Sequence, residues 1–501
     1  MKAPTYNQLV SKLQRINCLE SVVSTMSWDE QVNLPPASSD RRGAQMALLA
    51  ELHHREAADP VIGDWLAQLE SGSAGSLDEG EQAVVREARR QFDRIARLPA
   101  EFVARKAVLD TEAFHAWELA KRRSDFPAYR PFLEQQLALA KEEAGYHGFE
   151  GSAAYDFHID SHDPGMTASR IDPLFRELRT GLLPLVEEIL ASPVKADASA
   201  LEGLSVEGQR LFLREVTGRI GFDYHRGRID TSSHPFCGGD AADTRMTTRF
   251  VAGEPLEALF SSIHETGHAL YEQGLPIQHL GTALGTAVGM AIHESQSRLW
   301  ENQVGRGKAF WRFFEPRFRE IFGLSTDRIS SGQLLLAANA VRIHPIRTES
   351  DEVTYNLHIM LRFELEKRLF DGDLEVRDLP EAWNSLSSEI LGLRPANDAE
   401  GVLQDVHWSG GDFGYFPSYC LGNMIAAQLW ETVRSELPDL DSGFEQGDFS
   451  ALLNWLRERI HRQGQRFGTD ELVRRVTGHE ISPKPLLCYL EERYLPLYRP
   501  T

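Results

Sequence analysis

Two histidines and a glutamate carry the first chemical signal in this sequence. They lie in Ser262–Gly274, SIHETGHALYEQG, as His264, Glu265 and His268. On an α-helix, residues four apart stand one turn above each other on the same face. His264 and His268 can therefore turn ring nitrogens toward one ion. Neutral imidazole suits zinc, and a catalytic zinc site keeps three protein ligands and one open position. Glu265, beside the first histidine, stands where a carboxylate can take a proton from water and pass it to a leaving amine.

The third ligand must come from elsewhere. The extended pattern HExxHxxGxxH needs Gly at 271 and His at 274, and the chain has Tyr271 and Gly274. A glutamate on a following helix is another common solution. Glu294, in MAIHESQSRLWEN, is the candidate, on a second helical run that follows the turn region 274–281 and can pack antiparallel to the first. His279 and His293 are alternatives, with His293 better suited to steady a ligand from behind. Glu272 lies one turn beyond His268, too far along the axis to share a tetrahedral ion.

Such a site needs a rigid inner helix. Leu256, Leu259, Phe260, Ile263 and Leu270 form an apolar stripe around the motif. Glu254-Pro255 opens the helix, since Pro is tolerated in a first turn, and Gly274 and Pro276 close it. Gly267 costs about 1 kcal/mol relative to Ala inside a helix, so a neighbour is expected to approach the backbone there.

Helical signals also dominate elsewhere. Residues 80–146 hold long runs such as EGEQAVVREARRQFDRIARL and FLEQQLALAKEEAG, punctuated by Pro99, Gly145 and Gly148. Ser71–Ser76, SGSAGS, reads as a loop. Between 222 and 252 the texture changes. Residues 230–240, DTSSHPFCGGD, are turn chemistry, and Thr244–Phe250 reads as a short strand. A loop rich in Gly and aromatics is expected at Trp408–Tyr419. The fold class expected is mostly α-helical, with one small β element beside the HETGH helix. No composition shift marks a linker, so we expect one unit with two lobes. Its approximate parts are an N-terminal helical lobe (1–221), the β element (222–255), the metal site and groove (256–430) and C-terminal helices (431–501).

The chain has 501 residues, 42% of them hydrophobic, enough for a large core. Its 74 acidic and 53 basic residues give a net charge of −21, which argues against non-specific attraction to nucleic acid or an anionic membrane. The N-terminus, MKAPTYNQLVSKLQRINCLES, has no uninterrupted apolar core of signal-peptide type. The longest weakly polar run, 281–292, is too short to cross a bilayer. A soluble, unexported protein is expected. Cys18, Cys237, Cys420 and Cys488 form no CxxC pair and read as free thiols.

Further motifs follow in order along the chain. They are HPF at His234–Phe236, DxRxT at Asp243–Thr247, HETGH, HESQ at 293–296, IRTESD at 346–351 and GVLQDVHW at 401–408. With the early stretch MSWDEQVNLPPASSDRRGAQMALLAELHH, they resemble the carboxypeptidase Taq family, the M32 metallocarboxypeptidases, over nearly the whole chain. Ser350 departs from the Ala usual at its place in IRxxAD. The resemblance implies a two-lobed helical fold with a deep central groove, similar to neurolysin and angiotensin-converting enzyme. It implies release of single C-terminal amino acids from peptides with a free C-terminus, broad specificity and poor acceptance of C-terminal Pro. It also implies a cytoplasmic homodimer with one divalent ion per subunit, Zn²⁺ or Co²⁺.

Residue by residue, His264, His268 and Glu294 match the metal ligands, and Glu265 matches the catalytic base. Arg245 and Arg347 match motif arginines. The planar fork of Arg suits a free C-terminal carboxylate. The sequence does not choose between the two, and our reading leans to Arg347. By analogy with related helical zinc peptidases, His407 and Tyr415 assist the oxyanion, with Tyr419 as a competitor. His234 is expected to line the cleft. Gly410, Gly411 and Gly414 are expected to let their loop close over substrate.

Overall fold

Asp78 and Glu81 illustrate how this sequence starts its helices. Asp78 accepts from the Glu81 amide and Glu81 accepts from the Asp78 amide, opening the helix Glu79–Ala96. Asp59 followed by Pro60 opens another in the same region, with the Asp59 carboxylate taking the Val61 amide. The computed structural model describes residues 4–72 and 76–500, and helices dominate it, as expected. Of the loop expected at Ser71–Ser76, residues 73–75 lie outside the described residues. Among the described residues, no helix is long and apolar enough to cross a membrane.

Eight helices position the site. They are α1 (Pro4–Val32), α2 (Ala100–Arg123), α3 (Phe126–Tyr146), α4 (Ala153–His162), α5 (Pro255–Gly274), α6 (Met290–Arg298), α7 (Tyr355–Asp371) and α8 (Phe416–Glu436). One extensive core runs through α2 to α8. A second, smaller core joins Tyr6, Leu9 and Ile16 of α1 to Ile62, Leu66 and Val84, and closes on Leu284. The first four helices of the chain therefore have a packing centre of their own.

The region 222–252 holds a three-stranded sheet, β1 (Gly227–Thr231), β2 (Cys237–Gly239) and β3 (Thr244–Thr248), in the order β1-β3-β2. β1 runs parallel to β3 and β2 antiparallel to it. The expected strand is β3. The stretch read as turns also supplies β2 and the end of β1. Gly239, at φ +105°, is what the tight return to β3 requires, since a Cβ there would lie 2.0 Å from the Asp243 carbonyl oxygen.

One face of the sheet rests on α5. Ser262 Oγ donates to Thr248 Oγ1 at 3.0 Å, and Thr266 Oγ1 lies 3.6 Å from Met246 Sδ. Close approach at two glycines then locks the three central helices. A Cβ on Gly267 of α5 would stand 2.5 Å from Ser297 Cα, and one on Gly422 of α8 would stand 2.6 Å from Glu294 Cγ. The neighbour expected at Gly267 is thus α6, which is held between α5 and α8.

Candidate metal centre

α5 is buried around most of its circumference, and it presents His264 and His268 on one face and Glu265 beside them. α6 crosses it and brings in Glu294. Glu294 Oε2 lies 3.6 Å from His264 Nε2 and 3.4 Å from His268 Nε2. Two ligand atoms about 2.05 Å from a tetrahedral zinc ion stand about 3.3 Å apart, so these spacings fit such an ion. The three residues form the metal-competent cluster found among the described residues.

The outer nitrogens fix the rings. His264 Nδ1 lies 2.9 Å from Glu301 Oε2, which accepts its proton. His268 Nδ1 lies 2.6 Å from His293 Nδ1, and His293 Nε2 lies 2.8 Å from Glu272 Oε1. With Glu272 accepting from His293 Nε2, His293 Nδ1 accepts from His268. Both histidines then turn Nε2 inward, and holding an ion would take the neutral, Nδ1-protonated tautomer of each. A neutral two-imidazole, one-carboxylate donor set suits zinc. His293 stands behind His268, as the sequence suggests, and Glu272 is joined to it there. His279 lies in a separate 3₁₀ turn, Ile277–His279.

Arg298 Nε donates to Glu294 Oε1 at 2.6 Å, and Arg306 Nη2 donates to Glu301 Oε1 at 3.0 Å. Burial opposes the charge on Glu294, but Arg298 and His264 outweigh it and hold the carboxyl well below its usual range. Burial lowers His268 to about 3. For His264, burial is overcome by Glu294 and Glu301, and the pKa is raised. On Glu265, burial, helped by the Glu294 and Glu301 charges, outweighs His264 and pushes the carboxyl up to about 7.

Glu301 belongs to none of the sequence motifs, yet its spacing carries a signal. Glu294, Arg298 and Glu301 are spaced four and seven apart, one helix face. Glu301 sits in a π-helical turn, Leu299–Gly305, that continues α6; such turns are frequent at functional sites. Glu301→Gln should weaken divalent-metal binding about 10–100-fold, the size of effect carried by a partner that orients a metal-binding histidine. Competition with a chromogenic chelator measures this. Unchanged affinity would mean that Glu301 does not orient His264.

The second half of the site comes from two interlocked motifs. Arg347 is buried in a 3₁₀ turn, Arg347–Glu349. Its amide donates to Gln404 Oε1 at 2.8 Å, its Nε to Asp405 Oδ1 at 2.9 Å and its Nη1 to Tyr355 OH at 2.7 Å. Asp405 also accepts from Arg362 Nε, 2.7 Å away. Two guanidiniums thus share one carboxylate, leaving one formal positive charge in excess. Tyr355 connects this group to the metal-competent cluster, since the Arg298 guanidinium lies 4.3 Å from its ring centroid. Ser350 fits its turn by bonding Ile346 O (3.1 Å) and His358 Nε2 (2.8 Å).

His407 Nε2 lies 3.2 Å from Tyr419 OH, and the Tyr415 and Tyr419 rings meet edge to face at 5.1 Å. Burial drives His407 down to about 3, so it is neutral at physiological pH. Tyr419 belongs to the first turn of α8, which begins at Phe416, so the expected loop ends four residues early. The loop is also pinned. Gln136 Nε2 donates to Ser409 O at 2.9 Å, and Phe413 is fully buried. Gly414, at φ +75°, lets it approach α4, where a Cβ would stand 2.5 Å from Ile159 N. Of the three loop glycines, Gly414 thus serves close packing against α4.

Arg245 is placed elsewhere. Side chains alternate across a strand, and Met246 and Thr248 face α5. Arg245 accordingly faces α1, paired with Asp243 (2.7 Å) and stacked 4.4 Å from the Trp28 ring centroid. Arg228, its partner across β1–β3, covers the same ring at 4.7 Å. The structure therefore brings Arg347, and not Arg245, to the side of the cluster. His234 is exposed on the loop between β1 and β2.

The same architecture is found in known proteins. The carboxypeptidase Taq (M32) metallopeptidase family model matches residues 8–494. Thermostable carboxypeptidase 1 of Thermus thermophilus is 42% identical, covering 98% of this chain and 99% of its own length. Carboxypeptidase 1 of Bacillus subtilis is 35% identical, covering 99% and 100%. The crystal structure of an M32 carboxypeptidase from Deinococcus radiodurans matches with a TM-score of 0.95 at 38% identity, over 99% of each chain. With a helical fold shared over its full length and a His/Glu cluster suited to a divalent metal, this chain belongs to the M32 metallocarboxypeptidase family, hydrolases that act on peptides.

Proposed function

We propose that this protein is a zinc-type carboxypeptidase that cuts the last peptide bond of a peptide and releases one amino acid. The observation that carries the proposal is the buried Arg347 group, with its excess positive charge, one tyrosine ring away from the cluster of His264, His268 and Glu294. Those three residues would hold one divalent ion per subunit, zinc or alternatively cobalt. Such an ion supplies Lewis-acid polarisation of a carbonyl and acidifies a water molecule.

The protein's own residues do the rest. Arg347 attracts the free C-terminal carboxylate through its positive charge, with Asp405 and Tyr355 holding the guanidinium in place. Glu265 takes the proton from the attacking water and returns it to the departing amine. A carboxyl raised toward neutrality by burial is suited to both transfers. His407 and Tyr415 lie on the Arg347 side and donate to the oxygen that gains charge, with Tyr419 holding His407. His234 lines the approach to the site. Family resemblance supports broad side-chain acceptance, poor cleavage before Pro and a cytoplasmic homodimer.

The test is product analysis of the metal-loaded protein on matched peptides with free and amidated C-termini, with and without chelator. Single C-terminal amino acids, released only from the free ends and only without chelator, are expected. Internal fragments from an amidated peptide would show endopeptidase activity and overturn the proposal.

A further inference from the structure

His407 and Tyr415 lie on either side of the segment 408–414, and one buried residue touches both ends of that segment. Glu366, on α7, has no solvent exposure. Its Oε1 accepts from Trp408 Nε1 at 2.7 Å. Its Oε2 accepts from the Gly414 amide at 3.0 Å and from Tyr155 OH at 2.8 Å. Trp408 follows His407 in the chain, and Gly414 precedes Tyr415. One turn earlier on α7, Arg362 holds Asp405. α7 therefore grips the 405–414 segment at three points.

We propose that Glu366 is a positioning residue that sets the separation of His407 and Tyr415 by accepting from Trp408 and Gly414 at once. This rests on the oxyanion role given above to those two side chains.

The residue type matters. An indole N–H and a backbone N–H are donors only, and they face opposite ends of the same side chain. A carboxylate accepts at both ends. A glutamine of the same shape accepts at one end and presents its own N–H to a donor at the other. Tyr155 OH can rotate to accept from that N–H, whereas the Gly414 amide cannot. The strain of Glu366→Gln therefore falls on the loop, with α4 spared.

The experiment compares Glu366→Gln, Trp408→Phe and Tyr155→Phe in the metal-loaded full-length protein. For Glu366→Gln, kcat should fall about 10²-fold, the cost of a misplacement near 1 Å, with KM and metal affinity close to wild type. Trp408→Phe removes one loop donor while keeping an aromatic ring, and its kcat should fall in the same direction. Tyr155→Phe, which removes the donor outside the loop, should leave kcat close to wild type. Amide exchange at Gly414 should speed up in Glu366→Gln and stay slow in Tyr155→Phe. Combining Glu366→Gln with Tyr415→Phe should cost less than the product of the single losses, since both act through one group.

Unchanged Gly414 exchange in Glu366→Gln, or equal kcat losses in Glu366→Gln and Tyr155→Phe, would overturn the proposal. Failure of the oxyanion role is seen separately, as wild-type kcat in both His407→Gln and Tyr415→Phe.

Discussion

Glu265→Gln should still bind one metal ion per chain but lose turnover by about 10²–10⁴-fold, the range that a positioned general base contributes. The substitution keeps the size and burial of the side chain and removes only its capacity to take a proton. The proposed ligands His264, His268 and Glu294 are untouched, and so are the partners behind them, Glu301 and His293. Metal content by elemental analysis and kcat on one peptide separate the two effects. A variant with bound metal and near wild-type turnover would exclude Glu265 as the base.

Arg347→Met should lower kcat/KM on peptides with a free C-terminus by about 10²-fold, the worth of one charge-assisted hydrogen-bonded pair at the upper end. Activity on the matched amidated peptide, already low, should hardly change, so the preference for free ends should collapse. This ratio isolates recognition from damage. Asp405 stays paired with Arg362, which keeps its buried charge neutralised. Arg245→Met, by contrast, should keep the preference for free ends, because Arg245 is stacked on Trp28 at the other face of the sheet. Were Arg347→Met to retain the preference and Arg245→Met to lose it, the assignment of the two arginines would be reversed.

The metal cluster was legible in the sequence because helical periodicity fixes it locally. His264 and His268 share a face through their spacing of four, and the absence of His at 274 sends the search to a second helix. Gly267 signalled a close neighbour for the same reason, as a residue with a cost inside a helix. The β element was only half legible. Thr244–Phe250 reads as a strand from its composition and forms one over Thr244–Thr248, whereas Cys237-Gly238-Gly239 does not, because a three-residue strand with two glycines owes its form to pairing with β3. The start of α8 at Phe416 was missed because Gly and aromatic residues masked a helix whose first turn carries Pro417.

By itself, the sequence determined which residue types are present for metal binding and proton transfer, and that His264, Glu265 and His268 share one helix turn. Short-range geometry is enough for that. Only the tertiary structure brings Glu294, held by Arg298, within 3.6 Å of both histidines, and links Glu272 through His293 to the back of His268. It alone separated Arg347 from Arg245. Those two residues have equal motif standing in the sequence. Their difference arises from strand alternation, which turns Arg245 toward α1, and from the packing of α7 against the 404–408 segment, which buries Arg347 beside Tyr355 and Asp405. Contacts between residues 58 or more positions apart, such as Arg347 with Asp405, depend on how whole helices cross, and no local spacing rule records that.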